Sequence, residues 1–187
     1  VISRVENKLL LDDSKIKNSL FWFINISPID SVALNNLSDG NIDKAIEIWT
    51  KSVNGKEISE KNFSAFNNLS SLLFLKSLDS SKSDQFFKGE TATLELRSAI
   101  SNKYSLLDSK YFYNYCESVL KNTNQIDVID IKSFISNLLI ELLSVNYTNN
   151  ELSDLFKGLD GELSKNLSEN LINEPLSKIL TLIKQSN

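Results

Sequence analysis

Residues 28–49 read Pro28-Ile29-Asp30-Ser31-Val32-Ala33-Leu34-Asn35-Asn36-Leu37-Ser38-Asp39-Gly40-Asn41-Ile42-Asp43-Lys44-Ala45-Ile46-Glu47-Ile48-Trp49. Ser27 before Pro28 has the pattern of an N-cap followed by a first helical residue, where proline loses no hydrogen bond. Asp30 in the first turn suits the helix dipole. Val32, Ala33, Leu34 and Leu37 supply apolar positions. Gly40 stops the helix in a left-handed conformation that a Cβ disfavours. Asn41 caps a second helix whose stripe is Ile42, Ala45, Ile46 and Trp49. The small side chains of Ala33 and Ala45 let the two helices approach closely. Residues 28–52 are therefore predicted to be an antiparallel helix pair with a very short turn.

The helical period extends in both directions. Upstream, a helix is predicted over Ile2–Leu11. After the break at Asp12-Asp13-Ser14 a second is predicted over Lys15–Ile26, with Ile16, Leu20, Phe23 and Ile24 on one side and Trp22 on a flank. Downstream, Asn54-Gly55 signals a turn, and Val53 and Ile58 are placed to flank a brief hairpin. A long helix follows over Lys61–Leu78, with Phe63, Phe66, Leu69, Leu72, Leu73 and Leu75 as its stripe. Beyond the polar break at 80–83 come Asp84–Lys88, Glu90–Asn102, Lys110–Lys121 and Asp130–Val145. Thr148 and Glu151 form a capping box opening a short helix that Gly158 ends. Leu159–Ile172 and Pro175–Lys184 complete the chain. The expected fold is all-α: an array of about ten short antiparallel helices, with tetratricopeptide-like helix pairs in the first half. Two lobes, 1–79 and 84–187, are expected to share one continuous core.

Composition narrows the chemistry. The 187 residues carry a net charge of −4, with 41% hydrophobic and 24% charged residues, an ordinary globular balance. Five glycines and two prolines disfavour hairpin-rich and Gly-loop folds. The absence of histidine removes Ser-His and Cys-His pairs and the commonest metal ligand. A single cysteine, Cys116, leaves no intrachain disulfide and no multi-cysteine zinc site. The acidic balance argues against a nucleic-acid partner, which needs phosphate neutralisation by Lys and Arg. No apolar run approaches the ~18 residues of a membrane span, and a cytoplasmic location is compatible with the composition. The lack of any methionine leads to the expectation that the sequence is a fragment or a processed chain.

The pattern Val32-Ala33-Leu34, Leu37, Gly40, Ala45-Ile46 and Trp49 resembles a tetratricopeptide unit, with glycine in the turn and small and aromatic positions on the second helix. A wider resemblance runs through Leu20-Phe21-Trp22-Phe23, Pro28-Ile29-Asp30, Ala33-Leu34-Asn35, Gly40-Asn41-Ile42, Ala45-Ile46-Glu47-Ile48-Trp49 and Asn62-Phe63-Ser64-Ala65-Phe66-Asn67-Asn68-Leu69. Over residues 16–78 the chain resembles the helical region downstream of the J domain in some bacterial DnaJ-like proteins. The resemblance implies a chaperone-associated part that selects a client or a location. The His-Pro-Asp tripeptide through which J domains stimulate their Hsp70 partner is absent, as it must be in a chain without histidine.

Other candidates have plainer readings. Cys116 shares a helical face with Phe112 and Val119, where a thiol is a small inert apolar group. Tyr111, Phe112, Tyr113 and Tyr115 are packing anchors. Asp12-Asp13, Asp127 and Asp130 fall at helix caps, and Asp154, Asp160 and Glu162 lack the alternating ligands of a calcium loop. No catalytic residue, metal ligand or cofactor is expected. The expected function is a non-catalytic protein–protein interaction module whose partner is another protein or peptide. Asn36, Lys44, Asn67 and Asn68 are the candidate partner-binding residues, because asparagine both donates to and accepts from peptide backbone. The alternative is a purely structural scaffold whose groove is filled by its own C-terminal half.

Overall fold

A computed structural model describes residues 12–79, 90–119 and 128–172. The helices expected at Ile2–Leu11, Asp84–Lys88 and Pro175–Lys184, and the turn at 122–127, lie outside the described residues. Within them every regular element is a helix and no strand occurs: α1 (Asp12–Ser19), α2 (Pro28–Ser38), α3 (Ile42–Val53), α4 (Phe63–Asp79), α5 (Glu90–Asp108), α6 (Lys110–Val119), α7 (Val128–Leu143) and α8 (Asn149–Lys157), then a helical stretch, α9, over 161–172. No hairpin forms at Val53 and Ile58; 56–59 is irregular.

The turn between α2 and α3 matches its sequence signals. Ser27 is extended at φ −120°, ψ 154°, its hydroxyl accepts from the Asp30 amide, and Pro28 opens the helix. At the other end Gly40 lies at φ +80°. The Asn41 amide donates to Asn36 O at 2.8 Å and the Gly40 amide to Leu37 O at 3.1 Å. These two bonds are the Schellman closure, which satisfies carbonyls the helix leaves open. Ala33, Ala45 and Trp49 are all fully buried, so α2 and α3 meet over their small residues. Val32 and Ile42, expected on the apolar stripes, are 53% and 45% exposed.

Each of α2, α3, α4 and α5 packs on its successor, most extensively α4 on α5. α5 then also meets α6, α7 and α8, while α1 lies against α6 and α7. One hydrophobic cluster draws residues from every described helix, from Ile16 on α1 to Leu171 on α9. At its centre is α4, buried without interruption from Asn62 to Phe74. A helix covered on all sides must be free of charge or pair every charge it carries. The run Asn62–Leu75 contains no Asp, Glu, Lys or Arg. α5 extends to Asp108, past the Asn102 boundary expected from sequence, and Leu106 and Leu107 in its last turn are buried.

Two further termini are held by side chains. Thr148 and Glu151 form the expected capping box. The α8 C-terminus is closed by Arg97 of α5, whose Nε donates to Leu155 O at 3.0 Å and Nη2 to Asp154 O at 2.9 Å. A Cβ on Gly158 would sit 2.1 Å from the Arg97 Cζ, so glycine here makes room for the guanidinium.

Two substitutions test these closures. Gly40→Ala, placed in open space but at positive φ, should lower stability by about 1 kcal/mol in urea unfolding. Gly158→Ala should cost about 1–2 kcal/mol through displacement of Arg97, and the loss should largely vanish in an Arg97→Ala background.

Candidate functional site

The largest departure from the sequence reading lies at residues 20–26. The helix expected over Lys15–Ile26 ends at Ser19, and 23–26 run without helical structure. This strap lies across α4 and α5, and its main-chain groups are met by side chains. Lys103 Nζ and Ser71 Oγ both donate to Leu20 O. Asn67 Nδ2 donates to Trp22 O at 2.8 Å. Asn68 treats Ile24 as an adjacent β-strand would: its Oδ1 accepts from the Ile24 amide and its Nδ2 donates to Ile24 O, each at 2.7 Å. The amides of Leu20, Phe21 and Trp22 bond back to Ile16, Asn18 and Ser19 O, so the strap begins as a turn off α1 and straightens only over 23–26. Phe21 packs edge-on to Phe74 at 6.4 Å and Phe23 stacks on Trp49 at 5.8 Å. Trp22, expected on a helix flank, is 71% exposed.

The strap ends on Asp30. Its carboxyl accepts from the Ile26 and Ser27 amides and from the Ser27 hydroxyl. It also accepts from three distant groups: Trp49 Nε1 at 3.1 Å, Ser64 Oγ at 2.6 Å and Asn68 Nδ2 at 3.2 Å. Sequence reasoning assigned Asp30 only to the helix dipole. The residue is fully buried and joins α2, α3 and α4.

Among the described residues Lys103 is the other buried charged side chain, 3% exposed. Besides Leu20 O it donates to Asn67 O at 3.3 Å, Asn67 Oδ1 at 2.7 Å and Ser71 Oγ at 3.0 Å. Its Nζ also lies 5.6 Å from the centre of the Phe21 ring. These partners are neutral oxygens and a π face, and burial pushes the lysine well below its usual pKa. A chamber of only about 10 Å³ adjoins it, too small for a substrate. Among the described residues no buried side-chain nitrogen or oxygen lacks a partner.

Asn67 and Asn68 are thus corrected in their placement: both are fully buried rather than facing outward. Their amides do recognise peptide backbone, but that of their own chain. Asn36 and Lys44 do lie at the surface. Asn36 Nδ2 donates to Val32 O at 2.8 Å, and Lys44 Nζ to Glu47 at 2.8 Å. Lys44 and Lys51 together hold the exposed Glu47 carboxyl at a pKa of about 2. Asn36 and Lys44 are not brought together with Asn67 and Asn68. The missed residues, Asp30 and Lys103, have a partial signal: Ser64, Asn67, Asn68 and Ser71 form a polar stripe at helical spacing within the uncharged run 62–75, which demands buried partners.

A separate feature is open. A groove of about 740 Å³ lies between α3, the 54–57 loop, α4 and α5. Ile46, Val53, Phe66, Leu69, Leu73 and Leu94 give it an apolar floor; Thr50, Asn54, Lys56, Glu57, Glu95, Ser98 and Asn102 supply polar groups. Its loop wall is preset. Gly55 takes φ +66°, and buried Asn62 donates to Glu57 O at 3.0 Å while accepting from the Ser59 amide at 2.7 Å. None of the four expected partner-binding residues lines it, and no lining residue comes from α6–α9.

Other reactive groups are quiet. Cys116 is fully buried, and burial pushes its thiol up to about 12. Phe112 and Tyr115 are core, while Tyr113 is half exposed. Among the described residues no group of three or more Asp, Glu or Cys side chains is placed to hold a metal ion, and no helix is long and apolar enough to cross a membrane. Comparison with family models, curated proteins and solved structures finds no match. The DnaJ-like resemblance of residues 16–78 therefore rests on the quoted residues alone.

Two measurements probe the buried polar groups. Asp30→Asn replaces an acceptor oxygen by a donor among donors and should cost at least about 3 kcal/mol in urea unfolding. Lys103 should give a distinct pH signature. Its folded pKa lies below the unfolded value of 10.5. Between the two the unfolded chain binds more protons, so this group's contribution to stability rises with pH and is lost as pH falls through the lowered value. The rise, at most about 1.4 kcal/mol per pH unit, should be present in the wild type and missing from Lys103→Met.

Proposed function

We propose that the chain is a non-catalytic protein–protein interaction module that takes a peptide or partner helix in the groove between α3, α4 and α5. The observation that carries this reading is the groove itself. Its size falls within the range of binding clefts, roughly 300–1,000 Å³, and it combines an apolar floor with a few polar groups at the edge. Leu94, 55% exposed, is a large apolar side chain on its wall. The preset 54–57 loop lowers the ordering cost that a partner would otherwise meet. The α2–α3 hairpin with its Gly40 turn and buried Ala33, Ala45 and Trp49 is compatible with a tetratricopeptide-like pair. In that arrangement α4 begins the next unit and the groove is its inner face. Among the described residues none of α6–α9 lines the groove.

On the DnaJ-like resemblance the partner is a chaperone client or a localising protein. A His-Pro-Asp-bearing helical domain encoded immediately upstream would support that assignment.

The test is selection of binders from a display library of fifteen-residue peptides, followed by affinity measurement on variants. Leu94→Glu should leave unfolding within about 0.5 kcal/mol of wild type and weaken selected peptides at least tenfold. Val145→Glu, at an exposed residue outside the groove, should leave them unchanged. Peptides that bind equally well to both variants, or a library that yields no binders, would contradict the groove.

A further inference from the structure

From Asn18 to Ser38 the sequence carries a single charged residue, Asp30, and that carboxyl is fully buried. The outer surface of the strap and α2 is therefore built without a charge of its own, in a chain whose residues are 24% charged. The same stretch holds four of the eleven large apolar side chains that are exposed among the described residues: Trp22 at 71%, Ile26 at 63%, Val32 at 53% and Ile29 at 43%. Scattered single exposures are ordinary, but a run of them on uncharged surface marks a contact site. Local structure sets their placement. α2 packs on α3 and α4, burying Asp30 and Ala33, and leaves Ile29 and Val32, three residues apart on one flank, uncovered. Ile26 sits directly before the Ser27 cap. Ser31 Oγ donates to Asn25 Oδ1 at 2.9 Å, which ties the end of the strap to α2. Trp22 lies four residues further back, within about 14 Å of Ile26 even at full extension. We infer that this face of the strap and α2 joins two copies of the chain in a two-fold dimer.

Charge selects a second copy as the occupant. Each copy carries a net charge of −4, so a random pairing of surfaces brings like charges together; over this face no charge of the strap or α2 opposes its own counterpart. The polar side chains agree. Asn25, Ser31, Asn35 and Ser38 are exposed, and each is a neutral group that both donates and accepts. Across a two-fold axis a surface meets itself. Asparagine and serine complement their own kind there, whereas a lysine or glutamate would meet its like. The 11 residues of α2 make a face about 16 Å long, and Trp22 adds an aromatic anchor of the kind that dominates interface energies. An interface of this extent belongs to the small end of the stable range, so the dimer should be reversible. None of Trp22, Ile26, Ile29 and Val32 lines the groove between α3, α4 and α5; the dimer face and the groove stand or fall separately.

The experiment is sedimentation velocity on the full chain from about 1 µM to about 300 µM. The wild type should pass from monomer to dimer across that range. Val32→Lys sets an ammonium against its own copy and should weaken the dimer at least tenfold. Trp22→Ser, which removes the anchor, should do the same. Both side chains are exposed in the single chain, so the urea midpoint of each variant, measured at the lowest concentration, should match the wild type. Val145→Lys, at an exposed residue of the far half of the chain, should leave dimerisation unchanged. Because the face is uncharged, added salt should not weaken the dimer. A chain that stays monomeric at every concentration overturns the inference and leaves the face to a different protein. A dimer that Val145→Lys weakens as much as Val32→Lys does, or one that dissolves in salt, overturns it as well.

Discussion

The Asp30 carboxyl is the point on which the first half of the molecule converges. It binds locally at the N-cap of α2 through Ser27. It also reaches 19, 34 and 38 residues along the chain to Trp49, Ser64 and Asn68. Taking a carboxyl out of water costs several kcal/mol unless hydrogen bonds replace its hydration. Here donors from α3, α4 and the strap supply that replacement, and their geometry ties four segments to one group. The arrangement depends on α4 presenting small neutral polar residues. Ser64, Asn67, Asn68 and Ser71 fit into a buried interface where longer charged side chains would need partners of their own.

The same stripe explains why the helix beginning at α1 ends early. Residues 20–26 carry enough apolar character to continue it, and helical periodicity alone predicts that they do. Tertiary contacts outweigh that preference. Asn67, Asn68, Ser71 and Lys103 offer partners to the carbonyls of Leu20, Trp22 and Ile24 that a continued helix would have used internally, and Phe21 and Phe23 pack on Phe74 and Trp49. A helix over the same residues would put the two rings about 200° apart, on opposite sides, whereas here both pack inward.

Local signals were readable wherever a few adjacent residues decide the structure. Ser27-Pro28, Gly40, Thr148 with Glu151 and the small pair Ala33 and Ala45 all act over one turn or one contact, and an all-helical chain follows from them. The strap, Asp30 and Lys103 were not readable in that way, because each depends on partners tens of residues distant. Asn67 and Asn68 illustrate the difference. Their capacity to bind peptide backbone was legible, but not whose backbone they bind. The groove escaped notice for a related reason: Phe66, Leu69 and Leu73 at its base are buried and read as ordinary core, and only the placement of α3, the 54–57 loop and α5 makes a cleft above them. The result is a central buried helix with two distinct sides, one against the chain's own strap and one at the base of the groove.

The most direct test of Asp30 as the shared anchor is a double-mutant cycle between Trp49→Phe and Asn68→Ala, two donors to the same Asp30 oxygen, measured by equilibrium unfolding. Phenylalanine keeps the ring that stacks on Phe23 and removes only the indole N–H. If both donors serve one carboxyl, the two losses should be non-additive, with a coupling of about 1 kcal/mol or more. Additivity within about 0.3 kcal/mol would mean that α3 and α4 are held independently, and would contradict the account.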